Sequence, residues 1–117
     1  MTTNETDALL PLPPATFHIL VALADGDRHG YAVMQEVAER TGGELRLNPG
    51  TLYRSIQRML EQGLIVEAAS RPAKTDDERR RYYRLTPFGR EVARAETRRL
   101  AQMLRLARAS GLAPGKP

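Results

Sequence analysis

The sequence predicts a mainly α chain (α+β): three helices, a β-hairpin and then one long helix. Three observations carry that prediction. Asn48 to Ile65 has a helix start, an apolar stripe at helical spacing and a glycine stop. Two short runs, Leu64–Ala68 and Arg81–Leu85, flank the polar loop Arg71–Arg80 and read as a strand pair. Thr86-Pro87 then opens a last stretch whose apolar residues recur at helical spacing as far as Ser110.

Met1 to Leu10 is polar, lacks periodicity and precedes Pro11, Pro13 and Pro14, so residues 1–11 read as a disordered tail. The first helix spans Pro14 to Ala24, with Phe17, Leu20, Val21 and Ala24 on one stripe, Ile19 and Leu23 beside it, and Asp25-Gly26-Asp27 as a turn. The second runs from about His29 to Arg40, with Tyr31, Met34, Val37 and Ala38 facing inward, and Gly42-Gly43 stops it. Leu45 to Leu47 is an extended link. In the third helix Asn48 is the N-cap and Pro49 takes the first helical position, where its missing N–H is no loss. Leu52, Ile56, Met59 and Leu60 form its apolar stripe, and Gly63 takes the left-handed position after its end. In the second strand Tyr82 and Tyr83 point to opposite faces. The last helix carries Phe88, Val92, Ala95, Leu100, Met103, Leu104, Leu106 and Ala107, a stripe too long for one small core to cover. There is no internal repeat. Helix, helix, helix, strand, loop, strand, long helix is the order of a winged helix-turn-helix over residues 12–85, followed by a C-terminal dimerisation helix over 86–110 and a flexible end over 111–117.

The chain has 117 residues and a formal net charge of +4, which fits a single domain with a modest core. All its basic residues but Lys74 and Lys116 are arginines, which grip phosphate and guanine bidentately. The pI is about 10.0, compatible with a nucleic-acid partner. Absence of Cys rules out disulfides, thiolate metal sites and thiol catalysis. No apolar run reaches membrane-spanning length and the start is unlike a signal peptide, so the default is a cytoplasmic protein with no membrane partner.

Opposite the apolar stripe of the third helix stand Thr51, Arg54, Ser55 and Arg58, hydroxyls and guanidiniums without an acid. That face suits a DNA major groove, where Arg forks onto guanine and Ser or Thr meets bases or phosphates. The competing reading is a solvated face. Tyr53 either donates its hydroxyl to a phosphate or packs beside the core with that hydroxyl exposed. In the wing, Lys74, Arg79 and Arg80 are placed to neutralise phosphates, and Asp76, Asp77 and Glu78 offset them. His29 reads as a helix-start residue, and Gly30 as a residue that permits close packing. Arg90, Arg94, Arg98, Arg99, Arg105 and Arg108 solvate the last helix, with Glu91 and Glu96 as partners. Val92, Leu100, Met103, Leu104 and Leu106 are the candidate dimerisation residues. No glycine-rich phosphate loop, metal-binding His pair or nucleophile–base set is present, so there is no catalytic residue, metal site or cofactor to assign and an enzyme has no support.

In order and at matching separations, several runs resemble the PadR-like family of transcriptional regulators from about Leu12 to Arg90. These are His29-Gly30-Tyr31, Gly43-Glu44-Leu45 followed by Asn48-Pro49-Gly50-Thr51-Leu52-Tyr53, Leu60-Glu61-Gln62-Gly63-Leu64-Ile65, and Arg80-Arg81-Tyr82-Tyr83-Arg84-Leu85-Thr86 with Gly89-Arg90. The resemblance implies a bacterial repressor that binds double-stranded DNA as a homodimer, here in the branch with a single C-terminal helix. Two features depart from the family: the acidic residues near the wing tip, and the absence of the tryptophan with which some short members bind flat aromatic compounds. The partners implied are duplex DNA at an inverted repeat, a second copy of the chain, and a small-molecule effector of unknown identity. The alternative is a winged-helix protein–protein module with no DNA target.

Overall fold

The computed structural model describes residues 3–68 and 81–114. The elements are α1 (Thr3–Asp7), α2 (Pro14–Leu23), β1 (Arg28–His29), α3 (Gly30–Arg40), α4 (Pro49–Glu61), β2 (Ile65–Glu67), β3 (Tyr82–Leu85) and α5 (Pro87–Ala109). The three strands form one antiparallel sheet in the order β1-β3-β2. Arg28 faces Tyr83 on one side of β3, and Ile65 faces Leu85 on the other. The architecture is mostly helical with a small sheet, a winged helix followed by a long C-terminal helix. The predicted Lys74, Arg79 and Arg80, the acidic residues between them and the wing tip lie outside the described residues.

Local chemistry sets the helix ends. Asn48 and Thr86 each cap a helix whose first residue is proline, accepting from Thr51 N–H (2.8 Å) and Gly89 N–H (2.9 Å). Three helices stop in one way, with a glycine at positive φ and two backward hydrogen bonds. In α4, Gly63 has φ +75°, and the Leu64 N–H reaches the Met59 carbonyl at 3.0 Å. Gly42 and Gly111 do the same for α3 and α5.

The core lies where α2, α3, α4, β3 and the start of α5 meet. Ile19, Leu20, Val33, Leu52, Met59, Leu64 and Val92 are fully buried there. Tyr83 points into it and Tyr82 away, as strand alternation requires. The face of α2 differs from the expected stripe: Thr16, Ile19, Leu20, Ala22 and Leu23 are buried, while Ala24 is exposed. This helix packs against α3, α4, α5 and β3, so it is apolar nearly all round and has no single stripe to read. In α3 the inward residues are Val33 and Val37, one helical turn apart, and Tyr31 is an exposed residue rather than a core one.

Two further corrections concern the termini of the core. Within the stretch expected to be a loose tail, α1 packs on α5, Thr6 is buried, and Leu9 and Leu10 cover the core edge. An anchor explains it: the buried Glu96 carboxylate of α5 accepts the Leu12 N–H at 2.8 Å. Val92, expected at a dimer surface, is fully buried inside its own chain and is unavailable to a second copy.

Candidate nucleic-acid interface

The candidate surface is built on α4. Leu52, Ile56 and Met59 fix one side of this helix in the core. That leaves Arg54, Gln57 and Arg58 exposed on the other side, with Thr51 and Ser55 half-buried along one flank and Tyr53 exposed on the opposite flank. Of the residues assigned from sequence, Thr51, Tyr53, Arg54, Ser55 and Arg58 therefore share one helix and lie outside its buried stripe. Arg54 folds back along the first turn, with a guanidinium nitrogen 3.6 Å from where a Cβ of Gly50 would stand.

This surface holds none of the arginines that form ion pairs among the described residues. Arg28, Arg40, Arg81, Arg84, Arg94 and Arg99 each reach a carboxylate. Arg84 takes Asp27 with two hydrogen bonds, of 3.1 and 2.8 Å, which lower the Asp27 pKa and raise that of Arg84. Arg40 bridges Glu36 and Asp25 at 2.6 and 2.7 Å, and its pKa is raised by both. None of the ion pairs among the described residues takes up Arg54 or Arg58. Arg46, exposed in the link just before α4, is in none of these pairs either. Three guanidiniums outside every ion pair of the described residues thus gather at the start and along the outer side of one helix.

Two of these residues were missed by sequence reasoning. Gln57 was passed over, although stepping by one helical turn from Tyr53 or Arg54 would have reached it. Arg46 was passed over because it stands outside the helix.

The neighbouring elements meet α4 at one corner. His29 caps α3 by accepting the Ala32 N–H on Nδ1 at 3.1 Å. The His29 ring packs edge-on against Tyr82, with centroids 5.4 Å apart. Gly30 lies directly against the Tyr53 ring. The first turn of α3, the wing strand β3 and Tyr53 of α4 are therefore contiguous.

The last helix presents a second surface. Beyond Arg99 none of its residues is buried, and Leu100, Met103, Leu104 and Leu106 are 39%, 53%, 43% and 60% exposed. Leu112, just past the helix, is 80% exposed and was not singled out from sequence. The arginines of α5 behave largely as expected for a solvated helix. Arg94 pairs with Glu91 at 3.0 Å and Arg105 bonds Gln102. Glu96 departs from that picture: it is buried, and Arg99 binds it at 2.5 Å. The guanidinium holds the Glu96 carboxyl below its ordinary value against the opposing effect of burial.

Among the described residues no group of His, Asp or Glu is arranged to hold a metal, and no helix is long and apolar enough to cross a membrane.

A family model for PadR-like transcriptional regulators matches residues 19–95, from the middle of α2 to the middle of α5. The chain belongs to that family. Among relatives of this PadR-like regulator, a transcriptional regulator of Mycobacterium tuberculosis is 39% identical over 88 residues, covering 75% of this chain and 77% of that one. A PadR family transcription regulator of Clostridium difficile superposes with a TM-score of 0.74 at 25% identity, over 83% of this chain and 97% of that one. PadR of Bacillus subtilis, solved in complex with operator DNA, has a TM-score of 0.61 at 19% identity over 73% of this chain and 47% of that one, a likeness of fold.

Proposed function

We propose that this PadR-like regulator is a homodimeric repressor that docks α4 in the major groove of an inverted-repeat operator. The observation that carries the reading is the outer face of α4, where Arg54 and Arg58 stand exposed and outside every ion pair of the described residues, whereas Arg28, Arg40, Arg81, Arg84, Arg94 and Arg99 are held in such pairs. Family membership supports duplex DNA as the partner. Arg54, Arg58 and Gln57 reach base edges, Thr51 and Ser55 meet bases or the adjoining phosphates, and Tyr53 and Arg46 hold the backbone. In the wing, Lys74, Arg79 and Arg80 add phosphate neutralisation without base selection.

Dimerisation runs through the outer half of α5. Leu100, Met103 and Leu104 follow helical spacing, and with Leu106 they form an apolar strip that the described residues leave about half exposed. Two-fold pairing of these strips places two copies of α4 on one side of the duplex, about one helical turn or a multiple of it apart. A dimer so seated on a promoter blocks polymerase sterically, in the cytoplasm, and a small-molecule effector acts by shifting the spacing of the two recognition helices.

Selection of bound duplexes from a randomised pool tests the reading. The predicted product is an inverted repeat with that spacing. A pool that retains no preferred sequence, or a single half-site bound as tightly as the pair, would refute it.

A further inference from the structure

Gly30 is the first residue of α3 and is buried. A Cβ built on it would lie 2.7 Å from the Tyr53 hydroxyl oxygen, 3.0 Å from Cζ and 3.1 Å from Cε1. No real Cβ sits so close to an oxygen, so the present position of the Tyr53 ring exists only because residue 30 has no side chain. The backbone does not demand glycine there, because the φ of Gly30 is not among the positive ones. At a first helical position with ordinary φ, alanine is the better helix former. The requirement is thus for space beside Tyr53 and not for backbone freedom.

The place so defined is a junction. His29, next in the chain, caps α3 and packs on Tyr82 of β3. Tyr53 is also near enough to Tyr83 of β3 to help raise its pKa, after the larger effects of burial and of Glu67. The Tyr53 hydroxyl therefore sits at the seam of recognition helix, α3 and wing strand, while half of its residue surface faces solvent.

We propose that Gly30 is a positioning residue for DNA binding: its missing Cβ lets the Tyr53 hydroxyl rest at this seam, where it donates to a DNA phosphate. Because the ring is half exposed, a methyl at position 30 displaces it outward and leaves the core alone. The inference rests on the DNA-facing role proposed for α4.

The test compares wild type, Gly30→Ala, Tyr53→Phe and the double variant. Each is assayed for melting temperature and for affinity to a mixed-sequence duplex and to a duplex selected by the wild type. Tyr53→Phe removes one hydrogen bond to a charged group and should weaken both duplexes about tenfold. Gly30→Ala should weaken them by a similar factor with an unchanged or higher melting temperature. The double variant should bind no worse than Tyr53→Phe, because both changes remove the same contact. The slope of log affinity against log salt should stay the same, since a neutral hydroxyl releases no counterion. Additive losses, a lowered melting temperature in Gly30→Ala, or an unaffected Tyr53→Phe would overturn the proposal while leaving the DNA-binding reading in place. A wild type that binds neither duplex would overturn both.

Discussion

A methyl group at position 89 would lie 2.0 Å from the Leu64 carbonyl oxygen. That carbonyl already accepts the Thr86 N–H at 3.1 Å, and the Thr86 hydroxyl donates to the Gly63 carbonyl at 2.6 Å. The first turn of α5 is thus seated on the turn that ends α4, backbone against backbone, with no flexible side chain to give way. Gly89→Ala should therefore cost about 3 kcal/mol or more, or abolish folding, as read by denaturant midpoint. Gly63→Ala meets nothing within 4 Å and pays only for its positive φ, about 1 kcal/mol. The sequence displayed both glycines in recognisable runs, but only Gly63 came with its reason, because a helix stop is local and a contact across the fold is not. Glu96 is the same lesson in a charged residue. Its partnership with an arginine of the same helix was readable from spacing. Its burial was not, because it depends on the return of Leu12. Arg99 holds the folded-state pKa of Glu96 below the unfolded value of about 4.3. The stability this contributes is fully present above that value and is lost as pH falls through the folded pKa. Wild type should melt above Glu96→Gln at neutral pH, and the gap should close on acidification. Arg99→Ala, which leaves the buried carboxylate with only the Leu12 N–H, should lower the melting temperature at neutral pH.

Capping chemistry decides how well each element could be read in advance. α4 and α5 carry a cap, a proline and a closing glycine in the chain itself, and the structure places their ends within a residue of the expected ones. Asn48→Ala should lower stability by about 1 kcal/mol through loss of the bond to the Thr51 N–H. β1 escaped notice because two residues make no alternating pattern; only the pairing of Arg28 and His29 with β3 defines it. α2 was located but misoriented, since a helix enclosed on several sides has no polar face to set against an apolar one. α5 is the reverse case. Its inner half is covered by the core and by α1, and its outer half carries large apolar side chains in solvent. Leu100→Asp combined with Leu104→Asp should convert a dimer to a folded monomer, because neither side chain is buried within one chain. Sedimentation at micromolar concentration, with circular dichroism as the check on folding, reads the result. A dimer that persists would place the interface elsewhere.

Across the whole molecule the arginines divide by task. One set fastens the turns and strands around the core, through Asp25, Asp27 and Glu36, or anchors the N-terminal segment through Glu96. The arginines outside every ion pair of the described residues fall in two groups: Arg46, Arg54 and Arg58 where α4 begins and along its outer side, and Arg90, Arg98, Arg105 and Arg108 along α5. Net charge alone did not reveal that division, since +4 is spread over the full chain. The face of α4 was legible because its apolar stripe fixed which residues must point outward. The pairing that leaves it free became visible only in three dimensions. The central claim is that this free charge is what meets DNA. Affinity for the selected duplex, measured over a salt series for wild type and for Arg54→Ala with Arg58→Ala, tests it most directly. If the two arginines read bases, the double variant should lose about 1–3 kcal/mol per residue and relax its preference at the bases they contact. Unchanged affinity and salt dependence at moderate salt, in a variant that melts like the wild type, would contradict the account.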